Sequence, residues 1–327
     1  MTERSAENLQ YTGRIDQIRI YLKKFLRMFV YQSDWKVLPI GAVIAALVTF
    51  VVGANMFVTQ EGTTTGTFAL ACVCIWNGFF NSIQVVCRER DIVKREHRSG
   101  MEVSSYIIAH MLYQLLLCFL QPLITLLICV IAGIKIPGAG VVTPWGIVDV
   151  GITILLVTYT ADIMALMVSC IVRSTTTAMT VMPFLLIYQL IFSGSFFELG
   201  AADIIKVTTI SHWGTDPLCT IGRFNEQPMV TLWNTLVRFK DAEFRGEKPL
   251  LYLLQQVEQN NLLDDFLLWS GTNNTNPAYE SIAANVLPAW GALLLMIVIF
   301  TAVSVFALRK IDKDTCSASY AVSSALC

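Results

Sequence analysis

Arg88-Glu89-Arg90-Asp91-Ile92-Val93-Lys94-Arg95-Glu96-His97-Arg98-Ser99-Gly100 is the densest run of charge in the chain, and an apolar block flanks it on each side. The blocks, 66–87 and 104–134, are each long enough to cross a bilayer core at about 1.5 Å of rise per residue. A run this charged cannot rest in hydrocarbon, so it marks a turn at one membrane face. Working outward, four more blocks pass the same test, at approximately 38–58, 145–172, 177–197 and 282–308. Block 104–134 exceeds one span and is expected to tilt, or to bend near Pro122. Pro39, Pro183 and Pro288 lie near the starts of their blocks, where a missing N–H costs least. The short polar break from Arg173 to Thr177 fits a tight turn between two spans. The expected fold is therefore an all-α integral membrane protein with six transmembrane helices.

Composition agrees. Of 327 residues, 55% are hydrophobic and 14% charged, against about 25% charged in soluble domains. A net charge of −1 gives no basis for a nucleic-acid partner. Lysine and arginine set the orientation. Residues 1–37 carry Arg4, Arg14, Arg19, Lys23, Lys24, Arg27 and Lys36, and five more basic residues lie in 88–98. Arg173, Arg309, Lys310 and Lys313 belong to the same side. The opposite short loops hold only Lys135, and the long loop 198–281 holds six basic residues against eleven acidic ones. Both termini, the 88–98 hairpin and the Arg173 turn are thus expected in the cytoplasm of a cell-membrane protein, with the long loop outside.

This organisation divides the chain into a cytoplasmic tail with an amphipathic helix (1–37), five spans with the charged hairpin (38–197), an outer loop folded as a cap (198–281), a sixth span (282–308) and a cytoplasmic tail (309–327). In the amphipathic helix, Ile15, Ile18, Leu22, Phe25 and Phe29 interleave with Arg14, Arg19, Lys23 and Arg27. Such a helix lies in the membrane interface. The outer loop carries Trp213, Trp233, Leu250 to Leu254 and Trp269, too many apolar residues for an unstructured connection.

Enzymatic signatures are missing from the sequence. It contains no G-x-x-x-x-G-K-[ST] phosphate loop and no G-x-S-x-G elbow. The three histidines, His97, His110 and His212, have no metal-ligand spacing, and the cysteines in the apolar blocks read as small hydrophobes. The chain is therefore expected to be no enzyme itself, to hold no cofactor or metal, and to take any driving energy from a partner or an ion gradient. On the residues alone, the 88–98 segment is either a polar helix that docks a soluble partner or an ordinary solvated positive loop.

A family resemblance bears on that choice. The stretch Asn81-Ser-Ile-Gln, Arg90-Asp, Lys94-Arg95-Glu96, Ser99-Gly100, Val103-Ser-Ser-Tyr106 resembles the second span, coupling helix and start of the third span of G-subfamily ABC exporters, the sterol and multidrug half-transporters. Phe192-Ser-Gly-Ser-Phe-Phe197, Ile210-Ser-His-Trp213 and Arg223-Phe-Asn-Glu226 are similar to that family's fifth-span end and re-entrant region, and the helix at 15–29 matches its connecting helix in position. Glu102 stands where the family has a tyrosine, the outer loop lacks the family's cysteine cluster, and the ATPase domain usually fused ahead of the connecting helix is expected elsewhere.

The resemblance implies a permease subunit moving an amphipathic or apolar substrate outward, by alternating access between two transmembrane halves within the membrane lipid. It implies an ABC ATPase, on a separate subunit or on the rest of a longer chain, that binds the ATP and Mg2+. Arg88, Arg90, Asp91, Lys94, Arg95, Glu96 and Arg98 would couple to that ATPase, with Glu96 paired to nearby basic residues. Asn77, Phe80, Asn81, Phe184, Tyr188 and Phe192 would line the substrate path, and Phe196 and Phe197 the exit valve.

Two acids lie in the spans. Asp149 is near the outer end and is expected to reach water. Asp162 is mid-span, where a charge costs at least about 2.5 kcal/mol. It is either a proton or cation site or a packing anchor to Thr158, Thr160 or Gln189. The rival functions are thus an ion-coupled secondary transporter using Asp162, for which no internal repeat is visible, and a non-transporting scaffold or sensor.

Overall fold

The computed structural model describes residues 13–31, 35, 37–194, 200–243 and 247–310. The helices are α1 (Arg14–Tyr31), α2 (Val37–Val52), α3 (Gln60–Ser82), α4 (Val85–Arg88), α5 (Arg90–Arg98), α6 (Val103–Ile131), α7 (Gly146–Ile171) and α8 (Thr175–Ile191). After these come α9 (Ile210–Ile221), α10 (Thr231–Arg238), α11 (Pro249–Gln259), α12 (Leu263–Asn273) and α13 (Ala283–Arg309). α3, α6, α7, α13 and α2 together with the helical turn that continues it (Val37–Asn55) are long and apolar enough to cross a bilayer, and α8 is apolar but 17 residues long.

The centre of the bundle is α7 against α3, and glycine sets their separation. A Cβ on Gly78 would lie 2.4 Å from the Thr158 carbonyl oxygen. Ile154, Val157 and Ala161 of α7 pack there with Cys74, Ile75 and Phe79 of α3 and Leu293 of α13. A second apolar cluster sits where α1 meets α6, around Phe25, Tyr106, Ile107 and Tyr113. This end, from which α4 and α5 project, is called the foot; the other is the cap end.

α9 is a short helix pressed into the bundle from the cap end, with Ile210, Gly214, Leu218 and Ile221 buried against α3, α7 and α13. Its first amides need acceptors where water is excluded. Gln189 of α8 supplies one: its side-chain oxygen accepts from the Ile210 and Ser211 amides at 2.7 and 3.3 Å. The Ser211 hydroxyl donates back to the Gln189 carbonyl.

Some expected boundaries move, for polar reasons that hydropathy does not register. The second span starts at Gln60 rather than 66, because Thr59 caps it by accepting from the Gly62 amide at 3.1 Å. The buried Gln60 amide then donates to the carbonyls of Phe224 and Gly271 at 3.3 and 3.0 Å. The fifth span ends at Ile191, not 197, with Gly194 following at φ +76°. α6 is one helix from 103 to 131 with Pro122 inside it.

The expectation for Asp149 is corrected. It does not reach water; it is fully buried. Its carboxylate accepts from the amides of Val141, Val142 and Thr143 at 2.7, 2.9 and 3.0 Å. Three oriented N–H groups replace solvent and pin the α6–α7 connection.

Candidate functional site

The foot is a clasp between α1 and the charged hairpin. The alternating pattern of α1 turns Phe25 inward, where its ring lies 5.7 Å from Tyr106, 4.8 Å from His110 and 6.0 Å from Tyr113. Glu96 of α5 accepts from the Tyr21 hydroxyl at 3.0 Å and the Lys24 ammonium at 3.3 Å. Burial, then the adjacent Glu96 charge, hold the Tyr21 phenol well above its ordinary pKa, so it remains the donor. Gln17 donates to the Gly100 carbonyl at 3.4 Å and accepts from the Glu102 amide at 2.9 Å. Arg14 reaches the Glu102 carboxylate at 2.7 Å. The residue at 102 that departs from the resembled pattern is therefore a second point of attachment for α1. The half-exposed ion pairs contribute up to about 1 kcal/mol each, so they fix register more than stability.

The seven residues singled out in α4 and α5 divide between two faces. Val93 is buried, Glu96 turns to α1, and Arg90 turns to α7, where it donates to the carbonyls of Val172 and Cys170 at 2.7 and 3.4 Å. Arg90 thus caps the last turn of α7, where a cation is favourable. Lys94 is intermediate, while Arg88, Asp91, Arg95 and Arg98 are exposed together with Ile92. Within α5, spacings of three and four residues put Asp91, Arg95 and Arg98 on one stripe, away from the bundle, whereas Arg88, at the end of α4, also borders the cavity at the foot.

The six path residues lie on two separate surfaces of one chain. On α3, Asn77 is buried against α2, where a Cβ on Gly41 would meet its side-chain oxygen at 2.8 Å. Phe80 is 43% exposed and lies 5.5 Å from Trp76. Asn81 makes a reciprocal amide pair with Gln121 of α6, at 2.9 and 3.0 Å. On α8, Phe184 points away from the bundle, 69% exposed. Tyr188 bonds the Thr208 hydroxyl and lies 5.2 Å from Phe192. No ring contact or hydrogen bond joins the α3 set to the α8 set among the described residues. Phe196 and Phe197 lie outside the described residues.

Asp162 has a partner that was not among those expected. The Ser82 hydroxyl of α3 donates to its Oδ1 at 2.7 Å, and Gln114 of α6 donates to Ser82 at 2.8 Å. Thr158 and Thr160 are unavailable because their hydroxyls donate to the carbonyls four residues back on their own helix, and Gln189 is committed to α9. The signal for this cluster was in the sequence: His110, Gln114 and Gln121 are polar residues at helical spacing inside an otherwise apolar block.

A family comparison decides what this architecture belongs to. The family model of the ABC-2 type transporter matches residues 16–207, more than half of the chain. This chain belongs to the ABC-2 type transporter family. A comparison with the curated proteins finds no match. The matched region runs from the α1 clasp through α8, so it contains the foot, the charged hairpin and five of the six apolar helices. The ABC-2 domain described here is a multi-pass, all-α membrane component of a transporter, the permease part of a system whose family members pair with an ABC ATPase.

Proposed function

We propose that this ABC-2 membrane domain is one half of an exporter in the manner of the G-subfamily half-transporters. It moves an amphipathic or apolar substrate out of the cytoplasm by alternating access between two such halves. A partner ABC ATPase, which binds the ATP and Mg2+, drives the cycle by docking on the outward stripe of α4 and α5. The two-faced hairpin carries this reading. Its inner face is tied to α1 and to the end of α7 through Glu96 and Arg90, and its outer face presents Arg88, Asp91, Arg95 and Arg98. A push on the outer face therefore reaches the transmembrane helices without a flexible joint. Phe184, Tyr188 and Phe192 with Asn77, Phe80 and Asn81 are proposed to line the path, which closes only when a second half covers α8. Phe196 and Phe197 are proposed as the exit valve. Aromatic rings with a few amides suit a largely apolar cargo. The excess of lysine and arginine at the foot supports a cytoplasmic foot and an outer cap in the cell membrane.

The test is charge reversal on the outer face alone. Arg95→Glu, combined with its partner ATPase in proteoliposomes, is expected to lower substrate-stimulated ATP hydrolysis about tenfold, the equivalent of roughly 1.4 kcal/mol of coupling. Membrane insertion and thermal stability should not change, since Arg95 is exposed. Stimulation equal to that of the unmodified protein would rule out docking through this face. A second reading, an ion-coupled carrier, is favoured by one observation: Asp162 is fully buried and its Oδ2 has no hydrogen-bond partner among the described residues. Asp162→Asn keeps ATP-driven transport if the ATPase supplies the energy. Complete loss of transport, with a changed pH optimum in any residual activity, would support the carrier instead.

A further inference from the structure

We propose that the groove between α6 and α7, in the cap-end half of the bundle, binds one phospholipid whose headgroup carries a net negative charge. The groove has a volume of about 500 Å³. Phe119, Leu123, Leu127 and Val130 of α6 form one wall, and Ile147 and Leu155 of α7 belong to the other. No polar side chain lines it. Towards the cap end it continues into a second hollow of about 330 Å³, which shares Val130 and Ile147 with it and is bordered by Lys135 and Trp145. The whole is an apolar trough with a cation and an indole at its mouth.

Length and wall chemistry decide what fits the trough. It follows α6 from Phe119 to Val130, a rise of about 16 Å at 1.5 Å per residue. That is close to half of the roughly 30 Å hydrocarbon core, the depth of one leaflet and of one acyl chain. Helices that meet inside a membrane do so through small residues, as α3 and α7 do at Gly78 and Ala161. The rims of this groove are instead exposed Phe119, Leu123, Leu127 and Ile147. Gly151 is the one glycine or alanine that lines it, and it is used to bring α6 and α7 together: a Cβ there would lie 3.1 Å from Leu126. A further helix therefore has no small-residue seat here, whereas a flexible run of methylenes follows the uneven wall.

The mouth selects the headgroup. Lys135 is exposed and forms no ion pair among the described residues. The one acid on the α6–α7 connection and the first turn of α7, Asp149, is buried with its carboxylate committed to the amides of Val141, Val142 and Thr143. Every residue that lines the two hollows is described, and Lys135 is the only formal charge among them. A lone cation at a lipid surface favours an anionic headgroup. A choline headgroup would bring a second cation beside it, and a sterol or an acylglycerol offers it no charge at all. Trp145 is 65% exposed at the same mouth, and an indole with an apolar body and one N–H suits headgroup depth.

The site is independent of the transport reading, and its test needs neither ATPase nor transport. The full chain in phosphatidylcholine nanodiscs receives small, increasing fractions of phosphatidylglycerol with a photoreactive group on one acyl chain, and the labelled peptides are mapped. Labelling of the groove walls on α6 and α7 should saturate, because the anionic lipid displaces the surrounding phosphatidylcholine. Labelling at Leu294 and Leu295, exposed on α13, should rise in simple proportion to the fraction added. Lys135→Gln should weaken the saturable labelling about fivefold, the effect of one cation at a charged lipid surface, and Lys135→Arg should restore it. Leu127→Trp, which narrows the trough and leaves the mouth intact, should weaken it as well. Lys135 and Leu127 are both exposed, so the fold tolerates these changes. Groove labelling as unsaturable as that of α13, equal displacement by dioleoylglycerol (which has the chains but no phosphate), or full labelling of Lys135→Gln or Leu127→Trp would each overturn the proposal. So would a disulfide joining two copies through Leu127→Cys, which would put a second protomer in the groove.

Discussion

α7 and α8 are consecutive in the chain, joined by a short turn, and alike in apolar content, yet they occupy opposite environments. Seventeen of the 26 residues of α7 are buried, leaving open mainly one stripe of its first half, Ile147, Val148, Gly151, Ile152 and Leu155, beside α6. Only three of the 17 residues of α8 are buried, Ala178, Met182 and Gln189. Phe184, Ile187 and Leu190 face outward. A hydropathy plot does not separate these two helices, because hydrocarbon and a protein interior reward the same side chains. What separates them is the small and polar residues. α7 carries Thr153, Thr158, Thr160, Ala161, Asp162, Ala165 and Ser169, which allow close approach and hydrogen bonding to neighbours on several sides. α8 confines its one large buried polar group, Gln189, to a single stripe. Beyond Thr180 the outer face of α8 is almost wholly apolar, a place for lipid or for another protomer.

This contrast can be broken experimentally. The largest effect is expected at the α3–α7 contact. Gly78→Leu forces side-chain atoms into the Thr158 carbonyl, which is backbone and cannot yield locally. We expect a loss of about 3 kcal/mol or more, read as a collapse of the melting temperature in nanodiscs; a small shift would show that α7 is not the tightly packed axis described. Next comes Gln189→Leu, which keeps the volume but leaves the Ile210 and Ser211 amides without their acceptor. A loss of about 1–3 kcal/mol, with faster hydrogen exchange confined to the start of α9, would sharpen the view that α8 is held by one stripe. The smallest effect on folding is expected for Phe184→Ala, within about 0.5 kcal/mol. Transport and cross-linking between protomers should suffer instead, and a strongly destabilised Phe184→Ala monomer would place α8 inside its own bundle.

The class of fold was legible from the spacing of apolar blocks, because a bilayer fixes how long a crossing element must be. The polar details were less so. The sequence singled out the charged residues of the hairpin as a group, and the resemblance implied a basic partner for Glu96, which is Lys24, but not that Arg90 faces inward while Asp91 and Arg95 face outward. That division depends on where α1 and α7 end, which the local pattern does not encode. Asp149 was misjudged for a similar reason: depth along a helix suggested water, whereas a three-amide nest from the preceding loop encloses the carboxylate. Asp162 was found as an oddity, but its partner Ser82 is 80 residues away and too ordinary a residue to single out. The polar residues of α6 were passed over because each alone is an acceptable interruption of an apolar run; they gain meaning only when α3 is set beside them.

The bond between Gln189 and the start of α9 has a kinematic consequence. One glutamine grips the buried half-helix at three points, taking two amides on its side chain and a hydroxyl on its main chain. Turning α8 about its own axis while these bonds persist drags α9 along the bundle. A stroke begun at the foot would then arrive at the far side as the displacement of a plug, with no loop needed to carry the message.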